Sequence, residues 1–408
     1  MGQWGLSCGN GYILIMAKAR FLHAADLHLG SPLQSLGNLV DPELHENAKK
    51  LVNRAFQNLV DIAIGERVDF VLLAGDIYDT ADRDPGAQLR FYRGLTQLND
   101  AGIKVFMAHG NHDPLSAEYL SGSKMPENVH VFPSGEVNTH IVEMSNGAKV
   151  TVAGISYSSQ SEPNNLVPLF KSVVGTTVIG VLHTNVGGNS QHGDYAPCSA
   201  ADLEQSNVNY WALGHIHDRQ VHKSSNGYWA YPGNLQGRST KTTECGPKGA
   251  LIVEVEENGA ILEPRFVACD SLRFLIMEFD LSKITDYQDV IPMVSDKLEM
   301  LNADSEGRLL FVKLQFIGAT PIFAELNTKF EDLKDAIFGE GSELLVNGAV
   351  IKIRNGARPA IDLVIERERE TLLAHLLRAL DEELAGTMSK EVKDEIENIF
   401  VTKVGQVQ

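Results

Sequence analysis

Cysteine is scarce: the chain has 4, at Cys8, Cys198, Cys245 and Cys269, with no C-x-x-C spacing. That scatter excludes a zinc ribbon and a disulfide-stapled secreted framework. It fits free thiols in a reducing compartment, so a cytoplasmic location is expected. Positive charge is short as well. Against 53 Asp and Glu stand 35 Lys and Arg, a formal net charge of −18, with no evident basic run. A surface of that balance does not attract phosphate backbones over its whole extent, so any nucleic-acid contact must be local or helped by cations or a partner. Long apolar runs are missing too. GYILIMA near the N-terminus is too short to cross a bilayer and lacks the preceding basic residue of a signal peptide, so no membrane role is expected. Met16 reads as the natural start, with residues 1–15 as an upstream extension. Internal repeats, low-complexity tracts and long linkers are absent.

What is present suffices for a globular protein: 408 residues, 43% hydrophobic, enough for one large α/β domain and a smaller module. RFLHAADLHLG, VDFVLLAGD and IKVFMAHGNHD read as strands running into loops. HENAKKLVNRAFQNLVDIAIGERV and QLRFYRGLTQLNDAG carry helical apolar spacing, the second ending at Gly102 as a glycine cap. This βαβαβ alternation calls for parallel strands with crossover helices. Shorter strands follow (VHVFP, NTHIVEM, KVTVAGISY), with a hairpin turn at Asn146-Gly147. TTVIGVLHT and YWALGHIH return as core strands, and GALIVEVEENGAILEPRFVA folds back at Asn258-Gly259. Two packed sheets flanked by helices are expected. Past residue 270 the pattern becomes a small α+β module over 271–360, then charged helices over 361–408; residues 1–18 precede the main domain of 19–270.

Acids and imidazoles gather where the apolar strands end: Asp26 and His28 in ADLH, Asp76 in AGDIYD, Asn111 and His112 in HGNHD, His183 in VLHT, His215 and His217 in LGHIH. Strand ends are where layered α/β proteins build ligand sites. Asp26 and His28, one residue apart on an extended segment, would point to one side and share an ion. Asp76 can bridge two ions through its two oxygens, and two cations roughly 3.5–4 Å apart can clamp a phosphoryl group and activate a water. Oxygen and imidazole donors without a thiolate favour Mn²⁺ over Ca²⁺, with Fe, Zn²⁺ and Mg²⁺ as other candidates. A lone strand-end histidine is usually a core or surface residue. Five such clusters in one order are not.

The series DLH, GDIYD, GNHD, H and GHIH resembles the calcineurin-like metallophosphoesterases, and the wording ADLHLG, LAGDIYD, AHGNHD and LGHIH looks like their DNA-repair branch of SbcD-type exonucleases, especially YhaO-like bacterial members. HTNVGGNSQHGDYAPCSAADL before WALGHIH adds to this; the likeness is strong over 19–270 and weak beyond. The resemblance implies an α/β, four-layer sandwich of two mixed sheets between helices. It implies two cations, one held by Asp26, His28, Asp76 and His217, the other by Asp76, Asn111, His183 and His215. His112 would stand outside them, assisting the transition state or the leaving oxygen, with Asp79 orienting it, unless Asp79 is simply a loop acid or helix cap.

Arg83, His192 and Tyr195 are weaker substrate-binding candidates, as are Arg90, Arg93, Tyr231, Asn234 and Arg238; ordinary surface or turn roles suit them as well. Resemblance also implies DNA ends as substrate, a two-fold dimer, and a large SbcC-like ATPase partner docking on the C-terminal helices through Leu372, Leu373, Leu376, Leu377 and Leu380, unless those leucines pack on their own domain. The expected activity is that of a two-metal exonuclease. A phosphatase or small-nucleotide phosphodiesterase with the same centre, which the acidic surface favours, and a DNA-end scaffold with weak catalysis are the alternatives.

Overall fold

The computed structural model describes residues 19–79, 84–116, 125–187, 195–361 and 363–386. The expected N-terminal extension, Arg83, His192 and the helical stretch expected beyond residue 386 lie outside the described residues. Contacts divide the chain into two compact units: the first runs to Met277 and adds Lys297–Leu314 and Phe338–Lys352, and the second holds Glu278–Asp296, Gln315–Ile337 and the chain from Ile353 on.

In the first unit, strands β1 (Ala19–Ala24), β2 (Phe70–Ala74), β3 (Lys104–Ala108) and β4 (Val129–Val131) pair in parallel. A second sheet takes β5 (Asn138–Glu143), β6 (Lys149–Gly154), β7 (Val178–His183), β8 (Tyr210–Gly214), β9 (Gln220–Ser224) and β10 (Gly227–Tyr231), in the order β5-β6-β7-β8-β10-β9. The chain then returns to the first sheet with β11 (Gly249–Val255), antiparallel to β1, and β12 (Arg265–Ala268). Both sheets are therefore mixed, and Asn146-Gly147 turns between β5 and β6 with Gly147 at φ +85°.

Alternation along each strand makes the layers. Phe21, Phe70, Leu72 and Phe106 meet Val152, Ile179, Val181, Tyr210 and Ala212 between the sheets. Their neighbours Leu22, Val71, Leu73 and Met107 face the opposite way, onto helices α2 (Arg54–Gly65) and α3 (Pro85–Asp100), which supply Phe56, Leu59, Phe91 and Leu95; α1 (Pro42–Val52) precedes them. On the far side, Leu182, Trp211 and Leu213 pack with Phe170 and with Leu203 of the short α4 (Ala200–Glu204). The four layers and the helices flanking two mixed sheets match the expected fold class.

One expected helix is two. The stretch from His45 to Val68 breaks at Asn53, which ends α1 and precedes α2; its Nδ2 donates to Lys49 O at 3.0 Å. The apolar period runs through the break, so spacing alone conceals it.

Beyond the sandwich come β13 (Leu272–Asp280), α5 (Val290–Ala303), β14 (Leu309–Ile317), β15 (Ala319–Thr320), α6 (Phe323–Thr328), α7 (Phe330–Leu344), β16 (Gly348–Asn355), β17 (Arg358–Pro359), α8 (Leu363–Arg367) and α9 (Leu372–Leu384). Within the first unit, Leu272, Phe274, Leu309, Phe311 and Ile351 bury against Leu33, Leu36, Ala48 and Val52. Within the second, Phe316 packs near Phe279 and Phe330, β15 pairs with β17, and α8 leads into α9.

Candidate metal centre

Every strand-end cluster of the sequence comes to one place at the carboxyl edge of both sheets. Asp26 and His28 follow β1, Asp76 follows β2, Asn111 and His112 follow β3, His183 closes β7, and His215 and His217 follow β8. The loops after β1 and β2 stay joined past the strands, with Asp26 N donating to Gly75 O and His28 N to Asp76 O, both at 3.0 Å.

Asp26 and His28 do not reach the site along an extended segment. Both are left-handed, at φ +51° and +42°, as are Asp76 at +53° and His215 at +105°. Such backbones cost on the order of 1–3 kcal/mol each in non-glycine residues and persist only where the surroundings over-determine them. Here hydrogen bonds do so. His215 N donates to both Asp26 oxygens at 3.1 and 3.0 Å, His112 N to Asp76 Oδ1 at 2.9 Å, and Asp113 accepts from the backbones of Asp76, Ile77 and Gly110.

Each ligand-type imidazole with a resolved Nδ1 partner presents Nε2 inward. His183 Nδ1 lies 3.0 Å from Ala74 O, His28 Nδ1 2.9 Å from Asp79 Oδ1, and His217 Nδ1 2.7 Å from Glu244 Oε1. These partners assign the proton to Nδ1 and leave a lone pair on Nε2. Those lone pairs face other acceptors: His28 Nε2 and His217 Nε2 are 3.2 Å apart, and His183 Nε2 is 3.0 Å from Asn111 Oδ1 and 3.4 Å from Asp76 Oδ2. A proton or a cation must sit among them. Donor atoms of Asp26, His28 and His217, and of Asp26, Asp76 and His183, lie within 4.8 Å of one another. Nitrogen and carboxylate donors with no thiolate are what divalent cations such as Mn²⁺, Fe²⁺ or Zn²⁺ take, so the residues fit. Asp26 is within reach of both groups, and the His215 ring stands 5.2 Å from that of His183.

The protonation states agree with that. Burial favours the neutral form of each group, yet the His183 imidazolium holds Asp76 well below the usual carboxylate range, and Asp76 in turn holds His183 up at about 9. A proton there does what a cation would do. Burial raises the Asp26 carboxyl above its ordinary range against the pull of His217 and His183, with Asp76 pushing the same way as burial.

His112 lies at the rim, its side chain 46% exposed, with Nδ1 2.7 Å from Asp79 Oδ1, its ring 5.0 Å from that of His28, and donor atoms of His28, Asp79 and His112 within 4.8 Å of one another. That hydrogen bond raises its pKa above the ordinary histidine value. Asp79 is no helix cap: Asp84 caps α3 through Gly86 N. Among the weaker candidates, the Tyr195 ring lies 5.4 Å from that of His215, Arg90 pairs with Asp84, and Arg93 is exposed. Tyr231 donates its hydroxyl to Thr184 O, and Asn234 and Arg238 bind Glu244. Sequence reasoning passed over Glu244 and Asp113. Asp113 could have been suspected from its place in GNHD; Glu244, 27 residues beyond His217 in a 3-10 turn, carries no local signal.

Small residues make room for the cluster. A Cβ on Gly214 would come 1.9 Å from Ala74 O and 2.9 Å from His183 Nδ1, and one on Gly110 would come 2.3 Å from Asp76 Oδ1. Gly214→Ala is therefore expected to destabilise the fold by roughly 2–3 kcal/mol, the cost of overpacking, in urea unfolding of the metal-free protein. An unchanged midpoint would contradict this contact.

The calcineurin-like phosphoesterase family model matches residues 19–219, and a model of the metallophosphoesterase YhaO middle domain matches 274–351. The chain is 33% identical over 308 residues to a Bacillus subtilis protein named uncharacterized metallophosphoesterase YhaO, covering 75% of this chain and 74% of that one. The chain belongs to the calcineurin-like metallophosphoesterases. Among these metallophosphoesterases it is 25% identical over 329 residues to the DNA double-strand break repair protein Mre11 of Sulfolobus acidocaldarius, covering 78% of this chain and 80% of that one. It is 26% identical over 249 residues to a subunit of the nuclease SbcCD of Bacillus subtilis, covering 53% of this chain and 61% of that one. As a metallophosphoesterase it is a metal-dependent hydrolase of phosphoesters, with a His/Asp cluster suited to divalent cations. No helix among the described residues is long and apolar enough to cross a membrane.

Proposed function

We propose that this chain is a two-metal phosphodiesterase that degrades DNA from its ends. The observation that carries the reading is the difference in setting at the centre: Asp26, His28, Asp76 and His183 converge buried, while His112, half exposed and held by Asp79, stands at their edge, its donor atom within 4.8 Å of His28. Asp26, His28, Asp76 and His217 would hold one cation, and Asp76, Asn111, His183 and His215 the other, with Mn²⁺ favoured by the donor set. When bound, the pair supplies Lewis-acid stabilisation of the phosphoryl oxygens and a water that is nucleophilic near neutral pH. His112, its Nδ1 fixed by Asp79, presents Nε2–H to the leaving sugar oxygen, and the Asp79 hydrogen bond favours the protonated ring that such an acid needs.

The names of the Mre11 and SbcCD relatives support DNA as the substrate. A large SbcC-like ATPase would dock on α8 and α9, where Val364 is 70% and Leu372 67% exposed, and would bring the positive surface that a chain of net charge −18 lacks. The metallophosphoesterase domain would end near residue 270, before the 271–360 module, and the protein would work in the cytoplasm as a homodimer. The acidic surface favours a second reading, a phosphatase or small-nucleotide phosphodiesterase.

Purified protein with Mn²⁺ is offered end-labelled linear DNA, closed circular DNA and bis-p-nitrophenyl phosphate. Linear DNA should be shortened from its ends and the closed circle spared. Turnover of the small diester with DNA untouched would give the second reading its place.

A further inference from the structure

Arg238 lies beyond β10, ahead of the 3-10 turn Thr242–Glu244. Its Nη1 donates to Asp79 Oδ2 at 3.1 Å, and its Nη2 is 3.6 Å from Glu244 Oε1. These two carboxylates are the ones that hold the imidazoles. Asp79 Oδ1 meets Nδ1 of His28 at 2.9 Å and of His112 at 2.7 Å, while Glu244 Oε1 meets His217 Nδ1 at 2.7 Å. With His28 Nε2 and His217 Nε2 3.2 Å apart, the contacts close into a ring, and one guanidinium stands behind three histidines.

The sharing at Asp79 is the informative part. A carboxylate with two imidazole partners has two oxygens to offer, yet both rings take Oδ1. Oδ2 is occupied by Arg238. The terminal torsion of an aspartate is broad and roughly two-fold, so without that guanidinium the carboxylate can turn to give each ring its own oxygen, and at least one ring must then move. Glu244 is held differently. Its Oε2 accepts from Asn234 Nδ2 at 2.8 Å and from the Arg238 backbone N–H at 2.9 Å, and both bonds survive a change of the Arg238 side chain. The guanidinium's influence therefore falls on Asp79 and its two histidines more than on Glu244 and His217. Only a planar fork of donors reaches both acids at once; a lysine ammonium is a point charge.

We propose that Arg238 is a positioning residue: by occupying Asp79 Oδ2 it makes His28 and His112 share Oδ1, and so sets where His112 stands relative to the cation-facing nitrogen of His28. This rests on His112 acting on the phosphoester. A purely structural Arg238, present to neutralise two buried acids, would affect all the histidines alike or only overall stability.

The test uses the full chain, its histidines labelled with ¹⁵N and its centre loaded with Zn²⁺, comparing wild type with Arg238→Gln and Arg238→Lys. The ring N–H signals of His28 and His112 are expected to shift and to exchange faster with water in both variants, with those of His217 and His183 in place. Metal content should stay at the wild-type stoichiometry. With Mn²⁺ and bis-p-nitrophenyl phosphate, kcat should fall about tenfold or more at a KM within about twofold, the scale of a small misplacement of a catalytic group. Three results would overturn the proposal: unmoved His28 and His112 signals, a joint shift of all four histidines, or full recovery of kcat in Arg238→Lys. His112→Ala run beside them on a dinucleotide separates the two readings: unchanged turnover there removes His112 from the reaction, while the histidine signals still decide what Arg238 positions.

Discussion

Asp76→Asn is expected to cost the protein at least one of the two proposed cations and to lower kcat by about 10³-fold or more. The magnitude follows from several kcal/mol of Lewis-acid stabilisation, with about 1.4 kcal/mol to each factor of ten. The count of oxygens decides it. Asp76 offers one carboxylate oxygen beside His183 and another that anchors His112 N, in a buried site where it meets the donors of both proposed cations. Asparagine keeps the shape and one acceptor oxygen, so the loop after β3 retains its anchor, but the negative charge and the second oxygen are gone. Metal analysis of the dialysed protein reads the first consequence. The second is thermal: a cation that binds only the folded state raises the melting temperature by mass action, and the Mn²⁺-dependent rise should shrink in the variant. Wild-type stoichiometry together with wild-type turnover would remove Asp76 from the residues that would hold the cations.

His112→Ala should separate binding from chemistry. The ring's Nδ1 is tied to Asp79 and its side chain is half exposed, so its loss leaves every inward-facing donor in place. The expected result is a full complement of cations, an unchanged KM and a kcat lower by about 10²–10⁴-fold, the range for removal of a positioned acid. The loss should depend on the leaving group. A p-nitrophenolate departs readily without a proton, whereas the sugar alkoxide of a dinucleotide needs one, so the dinucleotide should suffer about tenfold more. Equal losses on both would make His112 a transition-state stabiliser and not an acid. Departure of a cation with the ring would make it a ligand.

The strands and what hangs from them were readable because two local signals coincide there: an apolar β-run that must be buried, and acids and imidazoles repeated at the ends of five such runs. Even so, position alone deceives. His23 lies within RFLHAADLH, one strand position from a genuine strand end, yet it is buried in β1, with its ring nitrogens meeting the Tyr210 hydroxyl and Leu213 O, and it has no part in the centre. The Asn53 break was hidden because the apolar period continues across it, although α1 buries Ala48 and Val52 in one cluster and α2 buries Phe56 and Leu59 in another, and a periodic pattern does not register the turn. Glu244, and the role of Arg238, a candidate only for bordering the site, were hidden for another reason. Their partners, His217, Asp79 and through it His112, are distant in sequence, and a carboxylate that orients an imidazole needs no motif of its own.

The donors are divided between the layers. Asp26, His28, Asp76 and Asn111 hang from the first sheet; His183, His215 and His217 hang from the second. Between them lies an interleaved apolar seam in which Phe21, Phe70 and Phe106 face Val152, Ile179 and Tyr210, and sheets stacked this way stand about 10 Å apart. Each proposed cation takes donors from both sheets, so the gap its ligands span is gauged by the thickness of that seam as much as by any ligand. A methylene added or removed deep in the seam, nowhere near a phosphate, would act like a shim under one jaw of a vice. In this molecule the hydrophobic core is part of the measuring instrument.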